Sequence, residues 1–126
     1  MAKPRSLITK GRNFQKKIML MFQECFSLDE FSIRTPVGSE NGPDVIFCNE
    51  AALQKVGLAI ECKNVKKISI WECLEQAKSH AKNTNMVPAL VFHRSAIGNT
   101  DIFITVPLSH YLELRSQLLQ KDDIIT

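Results

Sequence analysis

Hydrophobic residues recur at helical spacing in three stretches of the chain, and these stretches predict three helices. Residues 9–26 form the first, in which Phe14 and Ile18 belong to the apolar side. Residues 70–82 form the second, and the leucine-rich residues 108–120 form the third. Each helix is expected to pack an apolar side against a core and to leave its polar side in solvent.

The remaining apolar runs are short and are bounded by glycine, proline or asparagine, which is the pattern of β-strands. The five predicted strands cover residues 31–35, 44–48, 57–63, 89–92 and 101–106. Residues 49–55 are interpreted as the loop between the second strand and the third.

The order of these elements is helix, three strands, helix, two strands, helix, and it predicts an α/β fold. We expect a mixed central β-sheet flanked by helices, with the αβββαβ core of restriction endonucleases. Helix 70–82 would be a crossover, so the strands before and after it are expected to be parallel. The 126 residues fit one domain, residues 1–126, with flexible ends at 1–8 and 121–126.

A narrow apolar stripe marks the predicted core side of helix 70–82. It consists of Trp71, Leu74, Ala77 and Ala81. Trp71, the only tryptophan, is therefore interpreted as a core residue rather than as a platform on which a nucleobase stacks.

Composition narrows the class of protein without identifying a partner. With 44% hydrophobic and 23% charged residues the chain is globular rather than disordered, and a net charge of +3 is too small to indicate nucleic acid by itself. The four cysteines contain no Cys-x-x-Cys pair, which favours reduced core thiols over zinc or disulfides.

No signal peptide is found, and the longest apolar run, residues 18–22, is too short to span a bilayer. We therefore expect a cytoplasmic protein that does not enter a membrane.

Two strands carry the residues that point to chemistry. Glu61 and Lys63 are two positions apart, so on a strand both side chains project from one face, while Ile60 and Cys62 project from the other. Asp44 begins the preceding strand after a Gly-Pro turn. The sequence therefore predicts that two acidic groups and one amine share one region of the sheet.

An antiparallel hairpin would complete this cluster. If Cys48 pairs with Gly57, then Asp44 lies opposite Glu61, where side chains are about 5 Å apart at Cβ. Two carboxylates that close repel each other unless a cation lies between them. Mg²⁺ is usually held by one or two carboxylates, waters and substrate phosphate, so the pair predicts a Mg²⁺ site. Lys63 would then orient or deprotonate a water, or neutralise charge on a phosphate.

These residues resemble the motif of the PD-(D/E)xK nuclease superfamily. Pro43-Asp44 and Glu61-Cys62-Lys63 stand in the family's order and near its usual spacing. Further runs are similar to small phage-encoded nucleases that are related to Holliday junction resolvases; these runs are residues 10–15, 61–64, 70–72 and 75–77. The resemblance covers about residues 10–114 and would place a phage-encoded chain in the host cytoplasm.

The resemblance implies a metal-dependent DNA endonuclease and a role for each matching residue. Asp44 and Glu61 would bind Mg²⁺ or Mn²⁺, with the backbone carbonyl of Cys62 as a further ligand. Lys63 would position the attacking water. Gln76, on the following helix, would be a supporting residue at the site, or else only a helix surface residue.

The first helix departs from the resolvase pattern. Many resolvases supply a glutamate to the metal site from this helix, and the aligned residue is Gln15. An amide binds a cation less strongly than a carboxylate, so a second metal ion is in doubt. Gln15 either lies near the metal or is a solvated helix residue.

DNA, with branched or junction DNA first, is the expected partner, together with a second copy of the chain. A resolvase cuts two strands symmetrically, so a homodimer is expected, through the final helix or through the face of Phe103. So small a domain offers little surface for reading bases, so we expect recognition of shape through phosphates. The residues expected to contact DNA are Lys10, Arg12, Lys66, Lys67 and Arg94.

Three alternatives remain open on the sequence alone. A nuclease of this fold could act on DNA ends, flaps or single strands, or the domain could bind DNA without activity. The motif could also be a chance match in an unrelated α/β interaction domain, in which case Asp44 and Glu61 would lie far apart. His80, His93 and His110 are isolated from one another and are interpreted as ordinary surface or core residues.

Overall fold

The structure, a computed structural model, describes residues 5–125 except 97 and 99, with side chains described between residues 7 and 121. Within these residues the chain forms four helices and five strands. The helices are α1 (Arg5–Cys25), α2 (Glu50–Val56), α3 (Ile70–Ala81) and α4 (Leu108–Ile125). The strands are β1 (Ile33–Arg34), β2 (Ile46–Phe47), β3 (Leu58–Val65), β4 (Val87–Arg94) and β5 (Ile102–Thr105).

A three-stranded mixed sheet lies at the centre of the fold. Its order is β3-β4-β5; β3 and β4 run parallel through the α3 crossover, and β5 is antiparallel to β4. The predicted α/β class with a mixed sheet flanked by helices is confirmed. β1 and β2 form a separate antiparallel pair, which touches the central sheet through a single bridge between Val45 and Ile60.

Helices cover both faces of β3, which explains why this strand is buried on both sides. Ile60 and Cys62 belong to a hydrophobic core with Phe14 and Ile18 of α1. Glu61 points to the opposite face, where α3 packs on β3 and β4. The alternation predicted for this strand is therefore present, and its polar face lies under a helix instead of in open solvent.

The prediction of a loop at residues 49–55 is wrong, because the short helix α2 covers most of this segment. The Asn49 side chain caps α2 by accepting the Ala52 N–H at 2.9 Å, and Gly57 ends it in the left-handed conformation with φ 67°. The Cys48–Gly57 hairpin pair is consequently absent, and the Cys48 N–H donates to the Ser32 carbonyl. α2 is thus inserted into the expected αβββαβ order.

The bridge between Val45 and Ile60 nevertheless keeps the predicted register. It is antiparallel, so Asp44 and Glu61 are the next residues to oppose each other across it. The Asp44 N–H donates to the Ile60 carbonyl at 2.8 Å, which fixes the start of this segment on the edge of β3.

The ends of the chain are more helical than the sequence indicated. α1 begins at Arg5, so residues 5–8 of the arm expected to be flexible belong to a helix. α4 continues to Ile125, through most of the segment expected to fray. Residues 1–4 and 126 of those predicted ends lie outside the described residues.

The predicted core position of Trp71 is wrong. Cys73, Ala77 and Ala81 form the buried side of α3, while Trp71 is 81% exposed. Residues two apart on a helix point to nearly opposite sides, so burial of Cys73 turns Trp71 outward. Small residues on the buried side also let α3 approach the sheet closely.

None of the helices in the described part of the chain combines the length and the hydrophobicity that crossing a membrane requires. All four cysteines lie in that part and are free, with Cys62 and Cys73 buried and the other two exposed.

Candidate active site

The candidate site is a cavity of about 720 Å³ at the open edge of β3. β3 is the outer strand of the central sheet, and past Ile60 the described residues place no further strand against it. Three segments wall the cavity beside β3: the first turns of α1, the segment before β2, and α3. Side chains from distant parts of the sequence therefore meet at this edge.

Asp44 is held in the cavity by two hydrogen bonds to β3. Its backbone N–H donates to Ile60, and its carboxylate Oδ2 accepts the Cys62 N–H at 2.8 Å. The carboxylate thus accepts an N–H at the open edge of β3 that would otherwise bond to a further strand of the sheet.

Glu61 is the most buried polar group of the site, with 5% exposure. Its Oε1 lies 2.5 Å from Nδ1 of His80 on α3. Burial raises the pKa of Glu61 to about 8, and the charge of Asp44 and a hydrogen bond to it add to this rise, while Lys63 opposes it. The carboxyls of Asp44 and Glu61 are therefore neighbours, and they repel each other when both are ionised.

Cys62 contributes its backbone to the site and its thiol to the core. Its N–H points to the Asp44 edge, and the carbonyl of a strand residue points to the same edge as its N–H. The thiol is buried among apolar side chains, and this burial raises the pKa of Cys62 well above its usual range. The only group of Cys62 suited to bind a cation here is the carbonyl.

Five residues assigned to the site from the sequence line this one cavity. Besides Cys62, which also lines the cavity, they are Gln15 from α1, Asp44, Glu61 and Lys63 at the edge of β3, and Gln76 from α3. Gln15 is half-buried, whereas Gln76 is exposed. The fold brings Gln15 and Gln76 to the cavity from opposite walls, since α1 and α3 cover opposite faces of β3.

The residues expected to contact DNA are less closely grouped. Arg12 lines the cavity from α1, and Lys66 and Lys67 are exposed in the turn that follows β3. The Lys10 amine donates a hydrogen bond to the Ser95 hydroxyl. Arg94 ends β4 and is exposed, outside the cavity wall.

His80 is the site residue that sequence reasoning missed. The sequence indicates an ordinary histidine here, whereas in the structure His80 lines the cavity and contacts Glu61. Gln76 and His80 are four residues apart, so they lie on the same side of α3. This spacing is the sequence signal that could have identified His80, because a residue one helical turn after Gln76 faces the same strand, β3.

The donor set fits a hard divalent cation such as Mg²⁺ or Mn²⁺. Between residues 5 and 125, leaving out 97 and 99, no group of three histidine, cysteine or acidic side chains is arranged to hold a metal. Mg²⁺, however, needs only one or two carboxylates, with carbonyl, water and phosphate oxygens completing its shell. Asp44, Glu61 and the Cys62 carbonyl offer that set, and the repulsion between the two carboxylates is what a cation relieves.

Comparisons with family models, curated proteins and solved structures found no match for this chain.

Proposed function

We propose that the protein is a metal-dependent DNA endonuclease of the PD-(D/E)xK type, resembling Holliday junction resolvases. One observation carries the proposal: Asp44, Glu61 and Lys63 meet in one cavity at the open edge of β3. The rival interpretation as a chance motif requires Asp44 and Glu61 to lie far apart, whereas both line this cavity and the Asp44 carboxylate accepts the N–H of Cys62, the residue after Glu61.

The chemistry follows from the charge of the substrate. A phosphodiester is an anion that repels a hydroxide nucleophile. Asp44, Glu61 and the Cys62 carbonyl would hold Mg²⁺ or Mn²⁺, which when bound supplies charge neutralisation and a lowered pKa for water. The Lys63 ammonium has three donors, with which it would orient the attacking water and balance charge on the phosphate.

Cations on the cavity wall and in the turn after β3 support a DNA substrate. Arg12 lies on its wall, and Lys66 and Lys67 are exposed directly after the strand that carries Lys63. Such cations contact phosphates without reading sequence, so the substrate is recognised by its shape, with branched DNA as the first choice. The four free cysteines fit the reducing cytoplasm.

A second copy of the chain would dock on α4. One side of this helix carries six large apolar side chains that are 45–70% exposed: Leu108, Tyr111, Leu112, Leu114, Leu118 and Leu119. Phe103 is exposed as well, but it stacks on Phe92 with a centroid distance of 5.8 Å. We therefore choose α4 for the two-fold interface that symmetric cleavage of two strands requires.

Sedimentation velocity tests the interface. Leu112→Glu together with Leu119→Glu is expected to convert a dimer into monomers, whereas Gln117→Glu on the polar side of α4 is the matched control. A wild-type chain that is monomeric at tens of micromolar protein would contradict the dimer.

A cleavage panel tests the activity. Wild-type protein with Mg²⁺ or Mn²⁺ is presented with a four-way junction, a flap, single-stranded DNA and a linear duplex, alongside Lys63→Ala and the surface control Lys78→Ala. We expect cleavage that is fastest on the junction, is lost in Lys63→Ala and is unchanged in the control. Cleavage of flaps or single strands instead identifies the alternative substrates, and equal cleavage by Lys63→Ala removes the assignment. DNA binding without cleavage or Mg²⁺ uptake, measured by calorimetry, identifies an inactive binding domain.

A further inference from the structure

Trp71 is a large aromatic side chain with no role in the core and no place in the proposed chemistry. It is the only tryptophan, it is 81% exposed, and it lies in the first turn of α3. A shallow groove of about 520 Å³ runs from Trp71 along α3. Two of its lining residues, Gln76 and His80, also line the candidate active site, so the groove begins where that site ends.

Helix geometry gives the spacing between Trp71 and the site. Gln76 comes five residues after Trp71 and His80 comes nine residues after it, which corresponds to about 7.5 and 13.5 Å along the helix axis. One strand of B-form DNA advances about 3.4 Å per nucleotide, and an extended strand advances further. A strand whose phosphate lies at the site therefore brings a base only a few nucleotides away to Trp71.

The charges around the groove indicate that it would bind a nucleobase rather than the phosphate backbone of DNA. Lys66 and Lys67 are exposed in the turn just before α3, five and four residues before Trp71, and would attract phosphates there. Glu72 and Glu75 line the groove, and although Glu75 pairs with Lys78 at 3.2 Å, carboxylates repel phosphate. The groove therefore suits the uncharged ring of a base, whose amino groups can donate to a carboxylate.

We propose that Trp71 is a stacking platform for an unpaired base of the DNA strand held at the Asp44–Glu61–Lys63 site. A base inside a continuous duplex is stacked on both faces and cannot reach an indole on a helix surface. The substrate is therefore DNA with an unpaired segment beside the cut, as at a flap or a branch point, and a continuous duplex is disfavoured. This inference rests on the proposed function, because it needs DNA at the neighbouring site.

The fluorescence of the single tryptophan reports on this platform directly. Full-length Asp44→Asn protein, which is expected to bind DNA without cutting it, is titrated with single-stranded oligothymidylate, a flapped duplex and a blunt duplex. Stacking predicts quenching by the first two and little quenching by the blunt duplex. Binding seen by anisotropy of labelled DNA without any change in tryptophan fluorescence overturns the platform.

Substitutions give the second measurement. Trp71→Ala is expected to weaken binding of the flapped and single-stranded DNA by about 5- to 150-fold, the range for loss of one base stack, while Trp71→Phe keeps most of the affinity. Phe31→Ala is the matched control, because Phe31 is also 81% exposed and does not line either cavity. Equal loss in the control, or no loss in Trp71→Ala, contradicts the proposal.

The outcomes separate this inference from the function on which it rests. If the wild type cuts DNA and Trp71→Ala binds every substrate as well as the wild type does, only the platform fails. If no DNA binds, both fail. If tryptophan fluorescence changes with protein concentration in the absence of DNA, and does so also in the Leu112→Glu, Leu119→Glu variant, a second copy covers Trp71 and the platform is overturned.

Discussion

Glu61 and Glu40 line the same cavity, and the fold shifts their pKa values in opposite directions. Glu40 is exposed and meets Arg34 through two hydrogen bonds of 2.8 Å, and the Val37 N–H also donates to it, so the pKa of Glu40 falls to about 2. Glu61 is buried beside Asp44, and its pKa rises to about 8.

This difference shows that the fold balances the charge of Glu40 but does not fully balance the charge of Glu61. Arg34 balances Glu40 within the fold. Lys63 lowers the pKa of Glu61 only in part, against burial and the charge of Asp44. A carboxylate pair in such surroundings costs stability, which is expected of the cation site that we propose rather than of a structural ion pair.

Activity gives the largest expected contrast between the two glutamates. Asp44→Asn and Glu61→Gln are expected to lower kcat for DNA cleavage by about 10³-fold or more, because each removes a charged oxygen that would bind the proposed metal. Glu40→Gln is the control on the same cavity wall and is expected to stay within about threefold of the wild type. Single-turnover cleavage with saturating Mg²⁺ measures both, and a Glu40→Gln variant as inactive as Glu61→Gln would contradict the contrast.

Metal binding is expected to stabilise the fold through Asp44 and Glu61 alone. At a Mn²⁺ or Mg²⁺ concentration about a hundredfold above Kd, the gain in free energy of unfolding is about 3 kcal/mol. Protons compete for Glu61 below its pKa of about 8, so the rise in Tm should be larger at pH 8.5 than at pH 6.

Thermal denaturation with and without the metal measures this rise and needs no DNA. Asp44→Asn is expected to abolish it and Glu40→Gln to retain it. A metal-induced shift that survives in Asp44→Asn would place the cation elsewhere.

Without metal, the pH dependence of stability should show the cost of the Glu61 charge. Glu61 has a pKa of about 8 in the folded protein and an ordinary value of 4.5, so the folded state holds more protons between these values. Its contribution to stability is complete below about pH 4.5 and is lost as pH rises through 8.

Glu61→Gln removes that slope. At pH 8.5 we expect the variant to be more stable than the wild type by about 1–3 kcal/mol, the range for replacing an unfavourable buried charge. Chemical denaturation at pH 5 and pH 8.5 measures the difference, and a wild type whose stability rises over this interval relative to the variant would contradict it.

The residues that sequence reasoning placed correctly are those fixed by the period of a strand. Glu61 and Lys63 follow from alternation along β3, and Asp44 follows from the register that the bridge at Val45 keeps. α2 was missed because seven residues carry too little periodicity, although Asn49 and Gly57 are good caps.

Contacts between residues far apart in the chain could not be predicted from the sequence. The approach of His80 to Glu61 depends on how closely α3 packs on the sheet, and the small buried residues Cys73 and Ala77 set that distance. The same packing turns Trp71 outward. A pattern along one helix gives its buried side only when every residue of that side is recognised, and the predicted stripe does not include Cys73.

His80 should act on the site by positioning Glu61. His80→Ala is expected to raise the Mg²⁺ concentration for half-maximal cleavage by about tenfold, because a ligand that loses its hydrogen-bond partner is less well oriented. His80→Asn, which keeps a nitrogen donor near Nδ1, should recover much of this loss. A purely structural role would instead lower Tm in both variants and leave the Mg²⁺ requirement unchanged.

The smallest effect is expected at Glu40, and its sign is opposite to that at Glu61. The pKa of Glu40 is lowered from 4.5 to about 2, so its contribution to stability is present above about pH 4.5 and is lost as pH falls through 2. The pair with Arg34 is exposed, so solvent and salt screen it and Glu40→Gln should lower Tm only slightly at pH 7. Thermal scans of Glu40→Gln and Glu61→Gln at pH 8.5 in low salt should therefore move in opposite directions, with the larger change in Glu61→Gln. A Glu40→Gln variant that gains as much stability as Glu61→Gln would mean that both carboxylates are uncompensated.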